Sequence, residues 1–277
     1  MTHKELTWNT DDGIQIFGQY WTPENENIKA VICLVHGFGE HSSRYAHVAD
    51  FFTKNNYALL TCDLRGHGKS KGARGHTTSY DALLNDVDIL LGKAETLFPN
   101  TKKILYGHSM GGGIVANFIL RRKSNIVGAI LSSPFFKTAF EPPKIKIMAG
   151  KLFENLLPSL SLPSGLDASA ISRDQKVVDK YTKDPLVHGK ISAKMGMVLI
   201  DNGQWALDNA SKLDIPVLMF HGTDDQLTSH NASESFANNA GEKIKFVSYP
   251  GLFHETHNEP EKSSVFAEML QFCNSIT

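Results

Sequence analysis

Short apolar runs rich in valine, isoleucine and leucine recur along this chain with little alternation: KAVICLVHG, YALLTCDL, KILYGHS, IVGAILSSP, IPVLMFHG and KIKFVSYPG. A strand with one wetted face alternates apolar and polar residues, whereas a strand covered on both faces has no need to. Between the runs lie HVADFFTKNN, YDALLNDVDILLGKAETLF and GIVANFILRR, which have helical spacing. The pattern predicts an α/β fold, a mostly parallel sheet flanked by helices. LTWNT and IQIFGQYW around Asp11-Asp12-Gly13 add an opening hairpin. From about Phe135 to Asn202 the rhythm stops: no strand is expected there, and prolines stand at 142, 143, 158, 163 and 185. We read 135–202 as a helical cap inserted over the carboxyl edge of the sheet, where open α/β sheets bind ligands, with 1–134 and 203–277 forming the core.

A chain of 277 residues that is 41% hydrophobic has material for a sizeable core. Its 28 Lys and Arg against 29 Asp and Glu give a net charge of −1, without the basic excess that a nucleic acid partner demands. No apolar run approaches the roughly 20 residues that cross a bilayer, and MTHKELTWNTDDG lacks the apolar centre of a signal peptide. A soluble, cytoplasmic chain with no obligate protein partner is expected. Cys33, Cys62 and Cys273 form no C-x-x-C pair and are expected as buried, reduced thiols.

The chemistry begins at Gly107-His108-Ser109-Met110-Gly111, a G-x-S-x-G between an expected strand and an expected helix. In that setting the turn projects a serine hydroxyl above the sheet, and the helix amino end beneath it favours an oxyanion. A serine needs a base to take its proton and a carboxylate to orient the base. IPVLMF is followed by His221-Gly222-Thr223-Asp224-Asp225, and KIKFVSYPG by Leu252-Phe253-His254. Serine, aspartate and histidine thus stand at the ends of three strands in the order a hydrolase of this architecture uses, although spacing alone leaves Asp224 and Asp225 equivalent. The developing negative charge needs backbone donors: the amide of Met110, next after the serine, and that of Phe38 in His36-Gly37-Phe38-Gly39. The His36 side chain is expected to brace that loop.

Other motifs fail on spacing. Gly68-Lys69-Ser70 would end a phosphate loop only with glycine where Asp63 stands. His254-Glu255-Thr256-His257 spaces its histidines three apart and meets Pro260, so no zinc helix and no metal are expected. Lys144, Lys146 and Lys151 read as the charged outer face of an amphipathic helix, with membrane-surface contact through the cap as the alternative. Between Pro142-Pro143 and Pro158, Ile145, Met148, Ala149, Leu152, Phe153 and Leu156 share one helix face. That face either packs on the core or roofs an apolar tunnel ending at Ser109.

HGFGEHSSRY, CDLRGHGKSKG, GHSMGGG, LSSPFF, DKYTKDPLVHG, GTDDQLTSHNAS and YPGLFHETHNE together resemble the monoacylglycerol lipases and related lysophospholipases of the α/β-hydrolase fold. The resemblance covers nearly the whole chain and is weakest from about Phe136 to Asp167. It implies Ser109 as nucleophile, Asp225 as acid, His254 as base, and Phe38 and Met110 as oxyanion donors. It also implies Glu40, Arg44 and His257 as a polar, glycerol-facing group, against a structural ion pair and ordinary polar residues, and Tyr181 as a cap tyrosine near the site. The function implied is cleavage of monoacylglycerols to fatty acid and glycerol through an acyl-enzyme, with no cofactor. A general carboxylesterase, thioesterase or lysophospholipase on another single-chain substrate is the neighbouring reading. A ligand-binding protein that keeps the fold without turnover would have no need for the Ser-Asp-His set.

Overall fold

The computed structural model describes residues 1–25, 27–141 and 143–277. Pro142, expected to bound a helix, and the side chain of Lys146, expected on its outer face, lie outside the described residues. The first two strands, β1 (Thr2–Asn9) and β2 (Gln15–Thr22), pair antiparallel around the Asp11-Asp12-Gly13 turn. Five of the remaining elements are strands of the predicted runs together with their crossover helices: β3 (Ala30–Val35), α1 (Ala46–Lys54), β4 (Tyr57–Cys62), α2 (Tyr80–Leu97) and β5 (Lys102–His108). Then come α3 (Met110–Arg121) and β6 (Gly128–Ser132), and after the insertion β9 (Val217–Gly222), α7 (His230–Ala240), β10 (Ile244–Tyr249) and α8 (Lys262–Ile276). The eight-stranded sheet has the order β1-β2-β4-β3-β5-β6-β9-β10, parallel from β4 to β10.

Why the strands do not alternate is visible in β3. Val31, Cys33 and Val35 pack in one apolar layer, while Ile32 and Leu34 pack in the other, across the sheet. Every residue of this strand is buried, and burial pushes the Cys33 thiol up to about 12, leaving it a small apolar residue. All three cysteines are free and buried. The carboxyl ends of the central strands lie level: Val35 opposite Gly107, His108 opposite Ser132, and Ser132 opposite Phe220. Loops leaving these ends must therefore meet at one place.

The insertion contains α4 (Lys144–Leu156), β7 (Ser161–Pro163), α5 (Gln175–Lys183), β8 (Lys190–Ser192) and α6 (Ala193–Asp208). The expectation of no strand here is corrected, for β7 and β8 pair antiparallel. They are three residues long, β7 is exposed throughout and ends on proline, so no periodic apolar signal marks them. The expected boundary at 202 falls inside α6, whose Gly203 sits against the Phe136 backbone where a Cβ would collide. Most of the apolar face of α4 takes neither expected place, while Ala149 and Phe153 at its margin are half-buried. Ile145, Met148, Leu152 and Leu156 are 57–71% exposed, and the helix meets α6 through the opposite side, with Gly150 close to Met197.

Candidate active site

Ser109 is the residue between β5 and α3, with φ +54° and ψ −120°. A side chain is strained in that region of backbone space, and such strain collects at functional turns. The turn is held from three directions: Ser109 N–H donates to the Ser132 carbonyl (2.9 Å), and the Ser109 carbonyl accepts from Gly113 (3.0 Å) and Phe135 (2.8 Å). A Cβ on Gly107 would strike the Gly111 backbone, and one on Gly111 would strike the Val35 carbonyl, so both glycines are needed for strand and helix to pass.

Asp225 and His254 come from the loops after β9 and β10. Their side chains meet with Nδ1 of His254 2.7 Å from Oδ2 of Asp225. Asp225 is buried, and its Oδ1 accepts backbone N–H groups of Leu227 (2.8 Å) and Thr228 (3.0 Å). Asp224, which spacing could not tell apart from it, is exposed and accepts from the Thr223 hydroxyl (2.9 Å). Burial alone would raise the Asp225 pKa and lower that of His254. Each charge reverses this for the other: Asp225 is held well below the usual carboxylate range, and His254 is raised above the ordinary imidazole value.

A cavity of about 260 Å³ opens over these residues. Ser109, His254, Met110, Phe38, Glu40 and Tyr181 all line it, with Ile171, Leu199, Ile200 and Leu166 supplying apolar walls from the insertion. Of the residues singled out from sequence, Asp225, Arg44 and His257 stand behind the lining. Leu152 and its neighbours on α4 take no part in it.

Phe38 belongs to a loop pinned from both sides. Gly37 N–H donates to Glu40 Oε1 (2.7 Å), and a Cβ on Gly37 would lie 3.2 Å from that of Ser109. His36 braces the loop as expected: Nε2 accepts the Leu64 amide (2.8 Å) and Nδ1 meets the Gly37 carbonyl (2.7 Å). From the insertion, His188 N–H donates to the Gly39 carbonyl (2.9 Å), and its ring lies edge-on to Phe38.

Arg44 bridges Glu40 (2.5 Å) and, bidentately, Glu255 (2.6 and 2.7 Å). Tyr181 stacks over its guanidinium at 4.7 Å. Although burial would raise its pKa, the Arg44 charge and the Tyr45 hydroxyl bring Glu40 to about 2. His257 is buried against Tyr45, rings 5.1 Å apart, and edge-on to His108. Burial pulls both histidines down, His108 to about 4, so both are neutral. His254 and His257 thus turn to different partners, and among the described residues no group of three His, Cys, Asp or Glu could hold a metal ion.

Sequence reasoning passed over residues that support this centre. Ser133, with φ +42°, donates through its hydroxyl to the His254 carbonyl (2.8 Å), and its own carbonyl lies 3.1 Å from the Thr228 hydroxyl. Thr228 also donates to Asp225 Oδ2 (2.8 Å), and His221 Nε2 lies 2.9 Å from the same oxygen. Glu255 follows His254 directly and lines the cavity. The signals were faint: a second serine after β6, and a histidine at the end of β9.

Residues 26–261 match the family described as serine aminopeptidase, S33. The chain belongs to that family. A monoacylglycerol lipase of Mycolicibacterium smegmatis is 34% identical over 97% of this chain and 96% of its own. An uncharacterized abhydrolase domain-containing protein of Dictyostelium discoideum is also 34% identical over 98% of this chain, which spans only 29% of that longer protein. A soluble variant of monoglyceride lipase from Saccharomyces cerevisiae, solved with a substrate analog, is 25% identical, covers 100% of this chain and 96% of its own, and superposes with a TM-score of 0.89. This S33-family chain therefore has the α/β-hydrolase fold and groups with the monoacylglycerol lipases.

Proposed function

We propose that the protein hydrolyses monoacylglycerols. The observation that carries the reading is a strained serine beside a histidine-aspartate pair, at the floor of a cavity whose upper walls are apolar. His254, neutral at Nε2 and held at Nδ1 by Asp225, takes the Ser109 proton as Oγ attacks the ester carbonyl. The Met110 and Phe38 amides receive the oxyanion, where one donor is worth about 10² to 10³ in rate. His254 returns the proton to the departing glycerol oxygen. Water, activated by the same base, then releases the fatty acid and frees Ser109. The acyl chain lies along Ile171, Leu199 and Ile200, and each methylene buried there gains roughly 0.8 kcal/mol. Glu40 and Tyr181 face the glycerol, and Arg44 and His257 act on it from behind.

The family description names an aminopeptidase, and an aminopeptidase needs free carboxylate oxygens for a substrate ammonium. Each oxygen of Glu40 and Glu255 already accepts from Arg44, Tyr45, the Gly37 amide or Asn258, the Arg44 charge offsets theirs in part, and Asp167 on the cavity wall accepts from Ser169. This favours the neutral glycerol head. The exposed apolar side chains from Phe140 to Leu166 support docking of the insertion on a lipid surface, where the substrate resides. No helix among the described residues is long and apolar enough to cross a membrane, so the contact proposed is peripheral.

The test is a panel of acetyl, lauroyl and oleoyl glycerols, a lysophospholipid and an amino-acid anilide, compared by kcat/KM. Monoacylglycerols with long chains are expected to lead. Faster turnover of the anilide or of the lysophospholipid would displace the reading.

A further inference from the structure

Oδ2 of Asp225 receives three side-chain donors. His254 Nδ1 approaches at 2.7 Å and the Thr228 hydroxyl at 2.8 Å. The third is Nε2 of His221 at 2.9 Å, which is also 3.2 Å from the Thr228 carbonyl. His221 is wholly buried at the end of β9. Its other nitrogen, Nδ1, is 2.8 Å from the hydroxyl of Ser233 in the first turn of α7.

These partners fix the tautomer. The carboxylate oxygen can only accept, so Nε2 carries the proton, and Nδ1 is left to accept from Ser233. Burial keeps the ring neutral by pulling its pKa down, against the pull of Asp225. The neighbouring imidazole of His230, ring centroids 5.6 Å away, opposes a second charge as well. The result is a fixed N–H dipole aimed at Oδ2 of Asp225.

We propose that His221 is a positioning residue for ester hydrolysis, a neutral donor that limits how strongly Asp225 attracts the proton on His254. A hydrogen bond to the charged form of a carboxylate stabilises that charge and lowers its basicity. An acid that binds the imidazolium too tightly would leave His254 protonated at the pH where it must be neutral. With His221 in place, Asp225 orients the base without holding its proton.

The proposal rests on the assignment of Asp225 and His254 as acid and base. Other charged or titratable groups face His254: His108 from β5, Glu40 from the loop after β3, and Glu255 and His257 from its own loop. All of these remain when His221 alone is changed.

The readout is the acid limb of the pH profile of kcat/KM on lauroyl glycerol. In His221→Leu the limb is expected to move up by about half a unit or more, and in His221→Gln, whose amide N–H can replace Nε2, it is expected to stay near the parent value. A limb that stays put or moves down in the leucine variant overturns the proposal, whatever happens to the melting temperature. Should that variant not fold, ¹⁵N resonances of His221 in the parent protein decide. A neutral ring protonated at Nε2 across the limb supports the proposal, and an Nδ1–H tautomer or a ring that titrates with the limb overturns it. Asp225→Asn is measured alongside. Near-parent activity there would show that the acid assignment itself had failed, a result distinct from an unmoved limb.

Discussion

Between Phe140 and Leu166 the insertion turns Ile145, Met148, Leu152, Leu156, Leu160 and Leu162 toward water, whereas between Asp167 and Ser192 it is fastened to the core at short intervals. Glu255 N–H donates to the Ile171 carbonyl (2.7 Å), Arg173 pairs with the buried Glu259 (2.8 Å), and Asp184 pairs with His41 (2.9 Å). His188 bonds to Gly39 and, through Nε2, to the Gly66 carbonyl (3.1 Å), and Ser192 N–H bonds to Gly75 (2.9 Å). One half of the cap is therefore a wall of the catalytic centre, continuous with the loop that carries Phe38. The other half turns Ile145, Met148, Leu152, Leu156 and Leu162 outward, while Phe140 and Leu166 at its two ends line the cavity. A substitution in the first half should act on chemistry and stability, and one in the second on the approach of the substrate.

The largest effects should ignore this division. Ser109→Ala should lose roughly 10⁶ in turnover on acetate and lauroyl esters alike. Asp225→Asn should lose on the order of 10⁴ through the wrong His254 tautomer, while the exposed Asp224→Asn stays near the parent. Steady-state kinetics on both esters, with circular dichroism to establish folding, checks the set. A loss confined to the long ester would place the division at the nucleophile itself.

Next comes pH. The base must be neutral, and His254 is raised above the ordinary imidazole value of about 6.5. Activity should fall about tenfold per unit below a midpoint above that value, equally for both esters. The stability term has the opposite course: a raised histidine contributes fully below about 6.5 and loses its contribution as pH rises through the folded value. Asp225, depressed, contributes above about pH 3.9 and loses its contribution as pH falls toward its folded value. Profiles of kcat/KM and thermal melts over the same range check both signs.

The smallest effects compare the halves directly. Arg173→Ala removes the ion pair of Glu259, which keeps the amides of Arg173 and Phe253 as donors. The arginine is one-third exposed, so a loss of about 1 to 2 kcal/mol is expected, with both esters affected alike. Leu152→Asp should change stability by less than about 0.5 kcal/mol and leave acetate hydrolysis intact. It should slow hydrolysis of monoacylglycerol presented in vesicles several-fold. Equal losses on vesicles and on soluble acetate would dissolve the comparison.

How much of this was legible in the sequence follows the same line between buried and exposed. The central strands β3 to β6 and β9 announced themselves because burial on both faces demands unbroken apolar runs. Gly107 and Gly111 marked the turn because nothing larger fits. The α4 stripe was equally periodic, but periodicity fixes a helix and a face, and says nothing of whether that face meets protein or solvent. β7 and β8 are too short and too exposed to leave a pattern. Asp225 was separated from Asp224 by resemblance, since a one-residue difference in a loop has no periodic signature. His221 stood in plain view at the end of β9, and only its distance to Asp225 gives it a role.

β6 and β9 are hydrogen-bonded neighbours in the sheet, Ala129 opposite Val217, although the whole insertion separates them in the chain. The entropy of closing a loop grows only with the logarithm of its length, about 0.6 kcal/mol for each doubling. Closure entropy thus sets little limit on the length of the excursion from Ser133 to Pro216, provided that it leaves and rejoins the sheet at adjacent strands and keeps the residues that wall the site. Ser109, the proposed nucleophile, lies before that excursion and Asp225 and His254, the proposed acid and base, after it, and among the described residues none of 144–163 lines the cavity above them. A chain wired in this way can be given a new substrate without being asked to relearn its chemistry.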